Sequence, residues 1–332
     1  MREVIYLIQN LVSIKDIFEA CNRINNYIRH TPLENNPGLS ALYGSDIYLK
    51  LENLQVTGSF KSRGSFNKLL SLSDEERKIG VIAPSAGNHG IGLSYASKQL
   101  NIPCQVYLPV EADMGKVKVM ADYGASITYF DTIESARLSA MKVAKERGYT
   151  FLSAYNDPFM IAASGTIGLE ILKDMKDINI VITCLGGGGL TSGVCLALKS
   201  FNPNIQVWGV QTENSPTFAV WLQDGKEHPL ELQPSIAEGL SGPIEPATIT
   251  FPIIEKYLDR IFTVTEEELV KAMKSMLDFQ YIIEPSGAAG IAALPQMKRD
   301  IKGQKVAVIV TGRNISWGRF YSIIAPERSK GY

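Results

Sequence analysis

The run Ile47-Tyr48-Leu49-Lys50-Leu51-Glu52-Asn53, followed shortly by Gly58-Ser59-Phe60-Lys61-Ser62-Arg63-Gly64, sets the pattern for the whole chain. The first stretch alternates apolar residues at the period of a half-buried strand, Thr57 and Gly58 break it, and Ser59 has the short polar side chain of a helix N-cap. A strand feeding a helix at Phe60 is expected, with Lys61 in the first turn. A cation there opposes the positive end of the helix dipole, which makes a neutral amine easier to reach, and a neutral lysine amine can form Schiff bases. A lone lysine of this kind is in most proteins a solvated surface residue, so the rest of the chain has to decide.

Upstream, Ile14, Ile17, Phe18, Cys21, Ile24 and Ile28 recur at spacings of three and four, which predicts a helix around 13–28 that Pro32 and Pro37 close off. Downstream, strands over 81–84, 104–108, 126–130 and 150–153 alternate with helices ending near 100, over about 113–122 and over about 133–147. A second series starts at Pro158: a helix to about 173, a strand over 179–184, a helix over 190–199 and a strand over 206–210. Residues 212–250 are rich in Pro and Gly and show no clear period. A helix over about 250–258, a strand over 261–264, helices near 266–281 and 286–297, and a strand over 306–310 complete the reading. Such alternation predicts parallel α/β sheets, here in two lobes, with ligands bound at the strand ends.

Composition narrows the function. The 33 Lys and Arg nearly balance the 34 Asp and Glu, so no overall field recruits nucleic acid or an anionic membrane, and a small neutral or zwitterionic ligand fits better. Cys21, Cys104, Cys184 and Cys195 lack CxxC spacing and read as reduced thiols of a cytoplasmic protein. His30, His89 and His228 are not at metal-ligand spacing, so no metal site is expected. Met1 to Ile8 carries an early acid and no cleavage site of small residues, unlike a signal peptide. The only long uncharged stretch, 178–198, contains four consecutive glycines and reads as strand, loop and helix rather than a membrane span.

Four pieces carry chemistry. Gly186-Gly187-Gly188-Gly189 lies between a strand and a helix, where inward-turned amides and a helix N-terminus cradle a phosphate. A P-loop would need Gly-Lys-Ser/Thr, but Leu190-Thr191 follows; a dinucleotide GxGxxG pattern fails at Thr191. Glu213 stands at a plausible distance for a ribose, which keeps a nucleotide-dependent oxidoreductase as an alternative. Ser85-Ala86-Gly87-Asn88-His89-Gly90 also joins strand to helix and suits a carboxylate, or serves only as a cap with His89 solvated. Glu284 opens another helix, as a site residue or merely a helix-start acid. Thr311 places a hydroxyl just after an apolar strand. A reactive lysine, a phosphate cradle, a carboxylate turn and a strand-end hydroxyl together fit pyridoxal phosphate with a bound amino acid.

From Ile28 to Asn314 the chain resembles the serine/threonine dehydratase (threonine ammonia-lyase) and serine racemase family of fold type II pyridoxal-phosphate enzymes. The resemblance rests on Lys50-Leu51-Glu52-Asn53-Leu54-Gln55-x-Thr57-Gly58-Ser59-Phe60-Lys61, Ser85-Ala86-Gly87-Asn88-His89, the tetraglycine, and Ile283-Glu284-Pro285-Ser286-Gly287. It implies an α/β, two-lobed, tryptophan synthase β-like fold of parallel-rich sheets flanked by helices. A large cofactor-binding domain, 1–68 plus 158–332, would surround a small mobile domain, 69–157. Lys61 would bond pyridoxal 5'-phosphate as a Schiff base and act as the catalytic base, with Phe60 packed on the ring. Asn88 would meet the ring hydroxyl, Gly186, Gly187, Gly188, Gly189 and Leu190 the phosphate, and Thr311 the pyridine nitrogen. Gly239 and Glu284 would also line the cofactor, and Ser85, Gly87, Asn88 and His89 would take the substrate carboxylate.

The implied reaction converts a β-hydroxy amino acid such as L-threonine or L-serine to a 2-oxo acid and ammonia. The alternatives are a serine racemase with side elimination and a dehydratase for another hydroxy amino acid such as 3-hydroxyaspartate. Family racemases carry a serine where Ala86 stands, and alanine has no proton to give. Other departures are Arg313 in place of a glycine, expected near the cofactor, and Gln211 where metal-binding members carry a glutamate. Ile236-Ala237-Glu238-Gly239-Leu240 follows the family's loop, which then diverges. No sensing module is expected after Tyr332. The resemblance implies a homo-oligomer, dimer or tetramer.

Overall fold

The computed structural model describes residues 12–325. The leader reading of Met1–Ile8 and the stretch ending at Tyr332 lie outside the described residues. Ten strands are present among them: β1 (Leu33–Asn35), β2 (Asp46–Lys50), β3 (Val81–Pro84), β4 (Cys104–Pro109), β5 (Ser126–Phe130), β6 (Thr150–Phe151), β7 (Ile180–Cys184), β8 (Gln206–Thr212), β9 (Arg260–Val264) and β10 (Lys305–Ile309). They form a six-stranded sheet in the order β1-β2-β10-β7-β8-β9 and a four-stranded sheet in the order β5-β4-β3-β6. All pairings are parallel except that of β1 with β2. The fold is therefore α/β, as the alternation of elements requires.

Both faces of each sheet are covered by helices, which is why the inner strands are largely apolar. In β10, Val306 and Val308 face a core with Leu49, Ile182 and Met273, while Ala307 and Ile309 face one with Ile167, Val181 and Val194. The smaller sheet divides in the same way. Val81, Ala83 and Val106 pack with Phe66 and Leu93, and Ile82 and Tyr107 meet Ala136 and Ala140 on the opposite side. Period-two alternation thus feeds two cores from each strand.

The departures from the sequence reading have local causes. The strand read as 47–52 ends at Lys50, and Glu52–Leu54 forms a 3-10 turn. Pro37 does not merely close a helix; it opens the helix Pro37–Tyr43, with the Asn36 side chain accepting from Leu39 N–H. The helix read as 286–297 breaks at Ala293, because Pro295 has no N–H to continue it. Residues 212–250 contain the helix Thr217–Asp224.

Ser59 does not cap the lysine helix, which spans Lys61–Leu70 with Phe60 at the N-cap position and no side-chain cap bond. Its backbone instead bridges Gly312, and its hydroxyl is buried without a partner. Pairing with the loop after β10 consumes the geometry a cap would need.

A buried ion cluster fastens this helix in place. Arg63 binds both Glu52 oxygens, at 2.8 and 2.7 Å, and both Glu170 oxygens, at 2.6 and 2.9 Å. Lys50 Nζ donates to Glu170 at 2.6 Å and to the Thr31 carbonyl at 2.7 Å. Lys50, Glu52 and Arg63 are fully buried. Burial alone would lower the Arg63 pKa, but the Glu52 and Glu170 carboxylates outweigh it and raise the value. Two cations meet Glu52 and Glu170, with Asp174 at the edge 3.9 Å from Lys50, and the lysine helix is tied to β2 and to the helix Pro158–Asp174. Arg63→Ala leaves two buried carboxylates short of a partner, so it is expected to cost about 3–5 kcal/mol of stability, read from the denaturant midpoint. A loss under about 1 kcal/mol would contradict this account.

Candidate active site

The loops after β2, β3, β7 and β10 converge at the carboxyl ends of the two sheets, the place where open α/β sheets bind ligands. Phe60 N–H donates to the Thr311 carbonyl at 3.2 Å, and Arg313 N–H to the Gly58 carbonyl at 2.9 Å, so the lysine loop and the loop after β10 run side by side. The helix Asn88–Leu100 crosses the lysine helix at Gly92, which packs against the Lys61 and Ser62 backbone. This crossing brings the turn 85–89 of the smaller sheet to the lysine.

Lys61 is half-buried as a whole residue, with its amine turned inward: Nζ donates to the Ala154 carbonyl at 2.8 Å. Burial lowers its pKa from 10.5 to about 8. The helix-start position read from sequence is present, but desolvation is the cause of the shift. The Phe60 ring lies 5.0 Å from Nζ. A small cavity lined by Phe60, Lys61, Ala154, Met160, Gly189 and Leu190 separates the lysine from the glycine loop.

Gly186–Gly189 join β7 to the helix Gly189–Phe201. Gly188 has φ +87°, a left-handed conformation that disfavours side chains. A Cβ at Gly187 would overlap the Tyr155 ring. Tyr155 therefore forms the floor under a loop that has to be side-chain-free. The carbonyl of Gly239 sits against Gly186, and its N–H donates to Ser286 Oγ at 2.9 Å.

In the second turn, Ser85 Oγ accepts from Gly87 N–H at 3.2 Å and Gly90 N–H at 2.9 Å. The next amides, at Asn88 and His89, open the helix and have no acceptor within it. His89 is buried, not solvated. Burial first, and the Lys61 charge second, lower its pKa to about 3. Its Nε2 lies 3.4 Å from the Leu152 carbonyl, a partner only an N–H satisfies, and Nδ1 is buried without a partner. The ring is a neutral imidazole, and an anion at this turn meets its backbone amide.

Asn88 Nδ2 donates to Glu284 Oε1 at 2.5 Å, and its Oδ1 accepts from Asn314 Nδ2 at 2.6 Å. Asn314 also donates to the Thr57 carbonyl at 2.8 Å. Asn314 marks only the end of the resemblance in the sequence; Ala154 and Tyr155 carry no sequence signal. Thr311 is buried just past β10, beside Cys184. Arg313 is exposed, and its backbone lies on the lysine loop through its N–H to Gly58. Glu213 lies one residue beyond β8 and is exposed. The Gln211 amide is occupied by backbone, donating to Ser215 O at 3.3 Å and accepting from Ala219 N–H at 2.9 Å. A hollow of about 400 Å³ lies at the opposite ends of the strands, where Arg260 pairs with Asp300 and Trp208 Nε1 with Gln206.

The chain belongs to the family of pyridoxal-phosphate dependent enzymes, whose family model matches residues 24–312. It is 41% identical over 307 residues to an L-threonine ammonia-lyase of Thermotoga maritima, covering 92% of this chain and 76% of the relative. A serine racemase of Dictyostelium discoideum is 37% identical over 321 residues, covering 94% and 98%. The structure of maize serine racemase superposes with a TM-score of 0.89 at 31% identity, covering 94% of this chain and 96% of that one. The fold is thus that of the fold type II, tryptophan synthase β-like enzymes, and the cofactor is pyridoxal 5'-phosphate. The residues present fit it: a buried amine faces a glycine loop at a helix N-terminus, and the loop has no room for a Cβ at Gly187.

Two outcomes follow. Gly187→Ala pushes the Tyr155 ring or the loop aside and is expected to weaken cofactor retention about tenfold or more, measured by equilibrium dialysis. Burial raises Glu284 from 4.5 to about 7, so the folded chain holds this proton where the unfolded chain has released it. Stability is then lost as pH rises from about 5 through about 7, and Glu284→Gln should flatten that slope in denaturant titrations across this range.

Proposed function

We propose that the chain is a dehydratase, an ammonia-lyase that converts a β-hydroxy amino acid such as L-threonine or L-serine to a 2-oxo acid and ammonia. The observation carrying this is the buried Lys61 amine, lowered to about 8, set between a phosphate cradle and the amides of the turn 85–89. Gly186, Gly187, Gly188, Gly189 and Leu190 would hold the cofactor phosphate, Asn88 the ring hydroxyl, and Thr311 the pyridine nitrogen. Phe60, Gly239 and Glu284 would line the remainder. Pyridoxal phosphate, when bound, supplies the electron sink that lets a Cα–H bond break.

This chain's residues do the rest. Ser85, Gly87, Asn88 and His89 hold the substrate carboxylate at the helix N-terminus. Lys61 removes the α-proton; its lowered pKa keeps a useful fraction of the amine neutral near pH 7–8. The β-hydroxyl leaves as water, and hydrolysis of the resulting unsaturated amine returns one water and releases ammonia, so the balance is one amino acid to one oxo acid and one ammonia. A small lobe, 69–157, closing on the large one, 1–68 plus 158–332, would exclude bulk water during these steps. A cytoplasmic homo-oligomer acting on a small amino acid completes the reading; among the described residues no helix is long and apolar enough to cross a membrane.

Similarity to serine racemases supports a second activity. Racemisation needs an acid on the face opposite Lys61, and Ala86 in the turn has none to offer, which favours elimination.

Purified protein should be yellow and release oxo acid from at least one of L-threonine, L-serine, 3-hydroxyaspartate and phenylserine. Borohydride should fix a pyridoxyl group on Lys61, and Lys61→Ala should lower kcat by about 10²–10⁴-fold. A variant with unchanged colour and activity would refute the assignment. Ala86→Ser is expected to raise the ratio of D-serine to pyruvate formed from L-serine, measured by chiral chromatography.

A further inference from the structure

Beyond Leu240 the chain leaves the family's loop pattern, and this stretch carries a carboxylate not yet given a task. Glu245 Oε1 accepts from Ser153 Oγ at 2.7 Å, and Oε2 from Asn156 Nδ2 at 3.2 Å. Its own N–H donates to Tyr155 Oη at 2.8 Å. Ser153 Oγ also accepts from Asn156 N–H at 3.1 Å, and Asn156 Oδ1 accepts from Ile249 N–H at 2.9 Å. A few residues on, Thr250 Oγ1 donates to the Gly187 carbonyl at 2.9 Å. One loop therefore grips Ser153, Tyr155 and Asn156 while touching the glycine cradle. The residue it leaves free is Ala154, whose carbonyl takes the Lys61 amine.

We propose that Glu245 is a positioning residue for Lys61: by fixing the residues on both sides of Ala154, it aims the Ala154 carbonyl at the lysine amine and holds that amine beside the cradle. The inference rests on the reading of Lys61 as the catalytic base. Alternatives to an effect through Ala154 are few. The titratable and charged groups nearby are His89 from the helix Asn88–Leu100, Tyr155 on the gripped segment, and Arg137 and Glu134 from the helix Ile133–Arg147 behind Glu245. His89 is neutral, Tyr155 is held in its phenol form mainly by burial, and Arg137 is paired with Glu134 at 2.6 Å. Burial, not the charge of Glu245, sets the protonation of Lys61. A carbonyl that accepts an N–H favours the ammonium over the amine, so losing its aim should release the proton at lower pH.

The test uses the full chain freed of cofactor, then exposed to pyridoxal phosphate and borohydride between about pH 6 and 10, with the pyridoxyl group on Lys61 quantified by mass spectrometry. In Glu245→Ala the midpoint of labelling is expected about half a unit or more below that of the wild type. Glu245→Gln keeps an acceptor for Ser153 and is expected to stay with the wild type. The acid limb of kcat should move with the labelling midpoint. An unchanged midpoint in Glu245→Ala, a rise of the kind water entering a loosened site would cause, or a shift in Glu245→Gln as large as in Glu245→Ala would each overturn the proposal. Should Glu245→Ala fail to fold, Ser153→Ala removes the shorter arm and is judged by the same midpoint. Labelling needs no substrate. A wild type that labels but releases no oxo acid counts against the dehydratase reading, while the midpoint still decides the role of Glu245.

Discussion

The arrangement depends on the ion cluster of Lys50, Glu52, Arg63 and Glu170. A reactive amine with a lowered pKa has to sit in a dry interior, and Lys61 opens a helix whose third residue is the fully buried Arg63. Burying a guanidinium is unfavourable unless carboxylates meet it with good geometry, and here two do so bidentately. The cluster is thus less a source of net stability than a specification of register. It admits one placement of the lysine helix against β2 and the helix Pro158–Asp174, and rotation of that helix would leave a charge unpaired in the core.

The same dryness sets the electrical character of the cleft. Lys61 is lowered, His89 is neutral and Glu284 is raised, and burial is the first cause in each case. Burial thus works against formal charge at all three of these side chains. What remains is directional: the first amides of the helix Asn88–Leu100 on one side, the glycine loop on another, and the chain Glu284, Asn88, Asn314 and Thr57 between the two sheets. Fixed dipoles in a water-poor site stabilise developing charge without having to reorganise.

Much of this was legible in the sequence because the relevant signals are local. Strand-to-helix alternation, the tetraglycine and the turn 85–89 are each encoded within about ten residues, and they led to the right sheets and the right strand ends. What escaped is non-local. Ser59 has the chemistry of a cap, but its backbone is claimed by Gly312 from the far end of the chain. Tyr155 and Ala154 fall in an unremarkable stretch after a short strand, and only the fold brings them beneath Gly187 and onto Lys61. Asn36-Pro37 is the exception: a cap followed by a proline at the first helical position is a local signal for a helix start.

The segment Leu152–Asn156 is where the polypeptide passes from the four-stranded sheet back to the six-stranded one. Its carbonyls at 152 and 154 meet His89 and Lys61 in turn. The return path from the smaller sheet thus runs directly over the Lys61 amine. The peptide groups that carry the chain out of one sheet are the same ones that seat this amine and the neighbouring imidazole, so a single short segment serves both as connector and as lining of the cleft.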